Sequence, residues 1–216
     1  MFDSFLKTSI LARAQNQQLL KINFVNPRNF APDLHKTVDD KPYGGGAGMV
    51  MKINIIVKAL ESITPKPYSI LLSASGKKYD QEKARMISKK NSVALICGHY
   101  EGTDARVEKF VGEIISIGDF VLTGGEIAAL AIIDSVTRLL AGVIHPDSIK
   151  SESFSEISNY LEYPQYTRPA NFRGLKVPQV LLSGNHKKIE EWRRKESIKR
   201  TQSHRPDLLR VSNISV

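Results

Sequence analysis

Three glycine-bearing clusters mark where this chain's backbone and side chains can act on a small ligand. The first is Y-G-G-G-A-G-M, Tyr43–Met49. It fails as a phosphate-binding P-loop because no G-K-[ST] closes it, Lys52 being followed by Ile53. It fails as a dinucleotide fingerprint because that register places Met49 where a glycine is required and no strand precedes it. By itself it reads as a flexible loop, with a polar flank, H-K-T-V-D-D-K-P-Y, able to contact a ligand or RNA. The second is C-G-H-Y-E-G-T-D-A-R, Cys97–Arg106, with two carboxylates, Glu101 and Asp104. It follows the most apolar strand-like run, and open α/β sheets place ligands at such strand ends. Asp104 equally suits a helix cap, and Cys97 reads as buried packing more than as a nucleophile. The third is S-I-G-D-F-V-L-T-G-G-E, Ser116–Glu126. Glycine there lets the backbone approach a flat ligand such as an adenine without Cβ interference. A helix beginning after Gly125 favours an anion, but Glu126 in its first turn opposes phosphate and weighs against a nucleoside triphosphate. The second and third clusters, with Ser73–Gly76, follow three apolar strands and predict one composite pocket.

Such loops need a rigid sheet behind them. Leu19–Val25, Ser69–Ser73, Ser92–Cys97 and Glu113–Gly118 are short runs rich in Ile, Val and Leu, bounded by turn residues. Helix-like stretches, Ile53–Ser62, Gln81–Lys89 and Asp104–Val111, lie between them. Apolar strands alternating with helices predict an α/β domain with a mostly parallel sheet. A longer helix, about Gly125–Leu140, carries an apolar stripe through Ile127, Leu130, Ala131 and Ile133. Residues 141–160 turn polar and read as a linker; beyond it the strong element is a helix over about 185–201, with Asn185 as N-cap.

Composition narrows the class. At 216 residues and 41% apolar, the chain is long enough for one cored domain with a small appendage. One cysteine excludes an intramolecular disulfide framework and any multi-cysteine zinc site. No apolar run reaches a membrane span, and MFDSFLKTSI has neither the basic nor the apolar region of a secretory signal, so a cytoplasmic protein is expected. The net charge is +9. Residues 161–216 hold 12 Lys/Arg against 5 Asp/Glu, while residues 1–160 are nearly balanced. A basic module on a near-neutral body predicts a polyanionic partner.

The ordered motifs resemble those of the bacterial tRNA (guanine-N1)-methyltransferases, members of the knotted SPOUT methyltransferases. The carriers are N-P-R-N-F (Asn26–Phe30), H-K-T-V-D-D-K-P-Y-G-G-G-A-G-M (His35–Met49), G-H-Y-E-G-T-D-A-R (Gly98–Arg106) and the third cluster above. They continue with Y-P-Q-Y-T-R-P (Tyr163–Pro169), V-P-Q-V-L-L-S-G-N-H (Val177–His186) and R-T-Q-S-H-R-P-D-L-L (Arg200–Leu209). The resemblance implies a deep trefoil knot in a SPOUT domain over 1–145, a linker over 146–160 and a basic helical tRNA-binding domain over 161–216. It implies methyl transfer from S-adenosylmethionine, with S-adenosylhomocysteine as product, to N1 of the guanosine at position 37, next to the anticodon. The cofactor pocket then falls on Leu71, Leu72, Ser73, Ala74, Gly98, Tyr100, Glu101, Gly102, Ser116, Ile117, Gly118, Phe120, Leu122, Gly124 and Gly125. RNA contacts fall on His35, Asp39, Arg168, Lys187, Lys188, Arg193, Arg194, Arg200 and Arg205. The family's catalytic arginine falls on Arg138, and the linker aspartate falls on Glu152, one methylene longer. The family also has an apolar strand ahead of the M-F motif, which here is Met1-Phe2. The resemblance further implies a homodimer whose site combines one subunit's pocket with the other's C-terminal module.

Guanine N1 is protonated at neutral pH, so its methylation needs a general base and a cation to stabilise charge developing at O6. Glu152 is the expected base, with Glu156 and Glu162 next in line, and Arg138 the expected O6 stabiliser. The sulfonium donor loses its charge during transfer, so no Lewis-acid metal is required by that step; a divalent-ion requirement is left open. The alternative is a catalytically impaired RNA-binding protein of the same fold. A nucleotide-hydrolysing α/β enzyme ranks below both, for want of a P-loop lysine.

Overall fold

A computed structural model describes residues 1–145, 148–149, 152–155 and 160–210, and the chain divides into two compact units, Met1–Ile144 and His145–Val216. In the first unit, helices α1 (Phe2–Leu6) and α2 (Ser9–Asn16) precede a short antiparallel pair, β1 (Asp39–Asp40) and β2 (Val50–Met51). Then come α3 (Ile53–Glu61), β3 (Tyr68–Lys78), α4 (Gln81–Ser88), β4 (Val93–Cys97), β5 (Glu113–Ser116) and α5 (Glu126–Thr137).

The central sheet is parallel, in the order β4-β3-β5. Side chains alternate along β3. Ile70 and Leu72 join Ile87 of α4, Ile115 of β5, and Ala128, Ala129 and Ile132 of α5 in one core cluster. Leu71 points the other way, to Met51, Ile56 of α3 and Val107. Both faces are therefore covered, which is why the strand reads as a continuous apolar run and not an alternating one. Fully burying an Ile or Leu side chain contributes about 1.5–3 kcal/mol, so these clusters are what hold the loops at the strand ends in place. Asp80 caps α4 by accepting from the Lys83 N–H at 2.8 Å.

Three expectations are corrected. Leu19–Val25 forms no strand: among the described residues nothing pairs with it, and Phe24 and Val25 stay exposed, Phe24 with its ring 5.0 Å from Phe2. Ser73–Gly76 is not a loop after a strand. β3 continues through it, changes register against β5 between Leu72 and Lys77, and pairs again at Lys77–Lys78. Asp104–Val111 is not an α-helix but a 3-10 helix, Ala105–Lys109. Short i→i+3 bonds close it, Val107 N–H to Asp104 O and Phe110 N–H to Val107 O, each 2.9 Å, as suits a brief connector. Sequence reading also missed α1 and α2, whose buried Leu6, Leu11 and Ala14 are spread over two short helices.

Gly76 allows the register change. A Cβ there would lie 2.5 Å from the Ile115 backbone. Gly76→Ala is expected to destabilise the protein by about 1–3 kcal/mol, the usual cost of overpacking. A urea midpoint unchanged from wild type would show that β3 and β5 do not meet this closely.

The second unit contains a hairpin, β6 (Asn171–Phe172) with β7 (Leu175–Lys176), and helices α6 (Gln179–Leu182), α7 (His186–His204) and α8 (Asp207–Arg210). The Asn185 carboxamide accepts from the Lys188 N–H at 3.1 Å, capping α7 where the sequence placed the cap. Since α7 has few apolar positions, hydrogen bonds do much of the packing. Thr201 is fully buried; its hydroxyl accepts from Leu161 N–H (2.9 Å) and donates to Ser197 O (2.8 Å). Ser197 in turn donates to Leu161 O. Among the described residues no helix is long and apolar enough to cross a membrane.

Candidate functional site

The C-terminal ends of β4 and β5, with mid-β3, surround a cleft of about 210 Å³. Of the residues expected to hold the cofactor, all but Leu71 line it. Leu71 sits on the opposite face of β3, in the core, so its side chain is not part of the lining. Ile115, His99, Thr103, Val121, Thr123 and Ala128 also line the cleft.

The two long loops are bonded to each other. Gly125 N–H donates to Gly98 O at 2.9 Å, and His99 and Gly124 form an isolated antiparallel bridge. His99 Nε2 lies 2.5 Å from Glu126 Oε1. Glu126, seen in sequence as a group opposing phosphate, thus has a partner in the neighbouring loop; the signal was the histidine between Gly98 and Tyr100. The Cys97–Arg106 loop is also tied to β2: Met51 N–H donates to Gly102 O and Asp104 N–H to Met51 O, both 3.0 Å. Ser116 Oγ donates to Gly118 O at 2.9 Å, holding the turn after β5. Tyr100 and Phe120 stand largely exposed at the cleft.

Charges around the cleft have distinct states. Asp104 accepts two bonds from the Arg106 guanidinium, 2.9 and 2.6 Å, and one from its backbone N–H, which hold the carboxyl at about 2. It is therefore a cap and an ion-pair partner, not a base. Burial, with Glu126 nearby, pushes the Cys97 thiol up to about 12. Thiolate is the reactive form. At pH 8, iodoacetamide is expected to leave native Cys97 unmodified while labelling the urea-unfolded chain. Equal labelling of both would place the thiol outside.

Arg138 lies in the first unit and Glu152 in the second. Arg138 is half-buried at the C-cap of α5, its N–H donating to Asp134 O at 3.2 Å. Glu152 is half-buried in a short turn. Ser153 Oγ accepts from Glu162 N–H at 2.9 Å and Phe154 N–H donates to Tyr160 O at 3.3 Å. Glu156 lies outside the described residues, as does part of the expected linker. Of the expected RNA contacts, His35, Arg168, Lys187, Lys188, Arg193, Arg194 and Arg200 are exposed, and Asp39 is half-buried in β1. Arg193 lies 4.8 Å over the Tyr163 ring. Arg205 is engaged within the chain by Asp207 (2.9 and 2.7 Å) and by the Phe154 ring.

Comparison with known proteins adds an independent line. Residues 1–211 match the family described as tRNA (Guanine-1)-methyltransferase TrmD. A tRNA (guanine-N(1)-)-methyltransferase of Carboxydothermus hydrogenoformans is 54% identical over 219 residues, covering 100% of this chain and 85% of that protein. One of Caldicellulosiruptor saccharolyticus is 54% identical over 210 residues, 96% of this chain and 85% of its own. One of Bacillus pumilus is 53% identical over 215 residues, 97% and 87% respectively.

Proposed function

This chain belongs to the tRNA (Guanine-1)-methyltransferase family, and from that premise we propose that it moves a methyl group from S-adenosylmethionine to N1 of the guanosine 3′-adjacent to the anticodon. The observation that carries the reading is the meeting, in one cleft at the strand ends, of nearly all the residues that the resemblance assigns to the cofactor.

The lining suits a nucleoside. Small residues predominate, and a Cβ on Gly102 would meet nothing within 4 Å, so space is left there. Backbone N–H and C=O groups can read an adenine edge, and the rings of Tyr100 and Phe120 offer stacking surface. The cleft is smaller than the roughly 300–1,000 Å³ of a typical closed pocket, so part of the ligand lies at the mouth, against those rings. S-adenosylmethionine, when bound, supplies an electrophilic methyl carbon. The chain's task is to make guanine N1 a nucleophile. Glu152 takes the N1 proton, and the Arg138 guanidinium stabilises negative charge as it develops at O6. The basic surface of α7 holds RNA phosphates, with Lys187, Lys188, Arg194 and Arg200 the available cations. His35 and Asp39 contribute from the first unit.

The reading extends to assembly and topology. Val121 is 88% exposed and Ile127 about half, apolar surface that a second copy would cover in a homodimer. The bonded pair of loops, with Gly98–Gly102 in one and Ser116–Gly125 in the other, is where the family resemblance puts the trefoil knot. The enzyme acts in the cytoplasm, beside its tRNA. The experiment is transfer of labelled methyl from S-adenosylmethionine to tRNA transcripts with G or A after the anticodon: label in the G transcript alone is expected, and equal label in both would refute the assignment.

A further inference from the structure

The second unit holds a cleft of its own, about 330 Å³, lined by Tyr166, Thr167, Arg168, Ala170, Val177, Leu181 and Leu182. It shares no residue with the cofactor cleft. Tyr166 and Leu182 are 48% and 55% exposed, so its apolar walls are open to solvent. The Tyr166 ring meets Trp192 of α7 in a tilted contact, centroids 6.2 Å apart, and about half of the residue stays open to solvent. Arg168 forms no ion pair among the described residues. The surrounding 161–216 segment carries the excess of Lys and Arg over Asp and Glu.

We propose that this cleft takes an unpaired RNA nucleotide other than the methylated guanosine, its base stacked on Tyr166 and its phosphate on Arg168. The proposal rests on the chain being a tRNA-modifying enzyme and adds a subsite to it. Three features select this occupant. A flat aromatic face with aliphatic side walls suits a base of any identity, because every base has a π-face. A guanidinium with no acidic partner among the described residues matches a phosphate bidentately. The positive field of the segment favours RNA over an apolar protein segment. Thr167 adds a hydroxyl that can donate to or accept from a base edge.

The test uses the full chain and an anticodon stem-loop RNA carrying 2-aminopurine at one unpaired position at a time. Wild type is expected to quench one position other than that of the target guanosine. Tyr166→Ala should abolish that quenching and weaken RNA binding by about tenfold or more, as loss of a stacked base does. Tyr166→Phe should retain the quenching, since only the ring is needed. Arg168→Ala should weaken binding and reduce the log–log salt slope by about one. An unaltered urea transition of the second unit, followed by Trp192 fluorescence, shows that a loss in Tyr166→Ala is not unfolding. RNA affinity and quenching unchanged in Tyr166→Ala would overturn the subsite. So would a change in sedimenting mass in Leu182→Asp at unaltered RNA affinity, because the cleft would then cover protein. Failure of the wild type itself to bind or methylate tRNA would instead overturn the function on which the subsite rests.

Discussion

Glu152→Gln is expected to slow single-turnover methyl transfer by about 10²–10⁴-fold, the usual contribution of a positioned general base. The substitution keeps the size and hydrogen-bonding capacity of the side chain and removes its basic oxygen. The turn around Glu152 is held by Ser153 and Phe154, through bonds to Glu162 N–H and Tyr160 O. Gln keeps the shape of the side chain, and those two bonds remain in the variant. Cofactor affinity, which the proposed site draws from residues of the first unit, should stay within about twofold. A near wild-type rate would move the base elsewhere. Glu162 would then be tested first, although its carboxylate already accepts from the Gln165 amide at 2.7 Å.

Gly125→Ala is expected to lower kcat/KM by at least about 10²-fold, the scale set by a displacement of about 1 Å in a reacting site. A Cβ at Gly125 would lie 2.7 Å from Cys97 Cα and 3.1 Å from Gly98 N. Those are backbone atoms at the end of a core strand, and they can move only by separating the two loops that Gly125 N–H and Gly98 O join. Gly124 is different. Its Cβ would meet the ends of the Glu126 and His99 side chains, at 2.5 and 2.9 Å, which can rotate away. Gly124→Ala should therefore cost much less, and calorimetry of cofactor binding to the two variants should separate them. Equal binding in both would mean that the loop contact does not shape the cleft.

That contrast shows how far residue types carry the argument. Both glycines stand in one motif, and sequence treats them alike; only the three-dimensional neighbours distinguish a backbone wall from a movable side chain. The parallel core was legible because Ile70–Leu72 is buried between layers, and Val93–Cys97 and Ile114–Ile115 are buried or half-buried there, so that all three are apolar on successive residues. Leu19–Val25 is also rich in apolar residues but has no partner strand among the described residues, and composition says nothing about partners. The cleft loops were legible through glycine spacing, whereas the His99–Glu126 pair spans 27 positions and needed the fold. Leu71, which the resemblance assigns to the cofactor, turns its side chain into the core, as the two-residue alternation of a strand dictates next to Leu72. Glu152 and Arg138 gain their proposed roles from the resemblance and from the needs of guanine N1; their types alone read as surface charges.

The most direct measurement of the account is the identity and position of the methylated nucleoside. Transcript tRNA with a guanosine following the anticodon is incubated with the enzyme and S-adenosylmethionine, then digested and resolved by mass spectrometry, with primer extension locating the modified residue. The account predicts 1-methylguanosine as the single new nucleoside, a reverse-transcription stop at that guanosine, and loss of both with Glu152→Gln. A methyl group on another guanine atom, on another base, or at another position of the tRNA would contradict it.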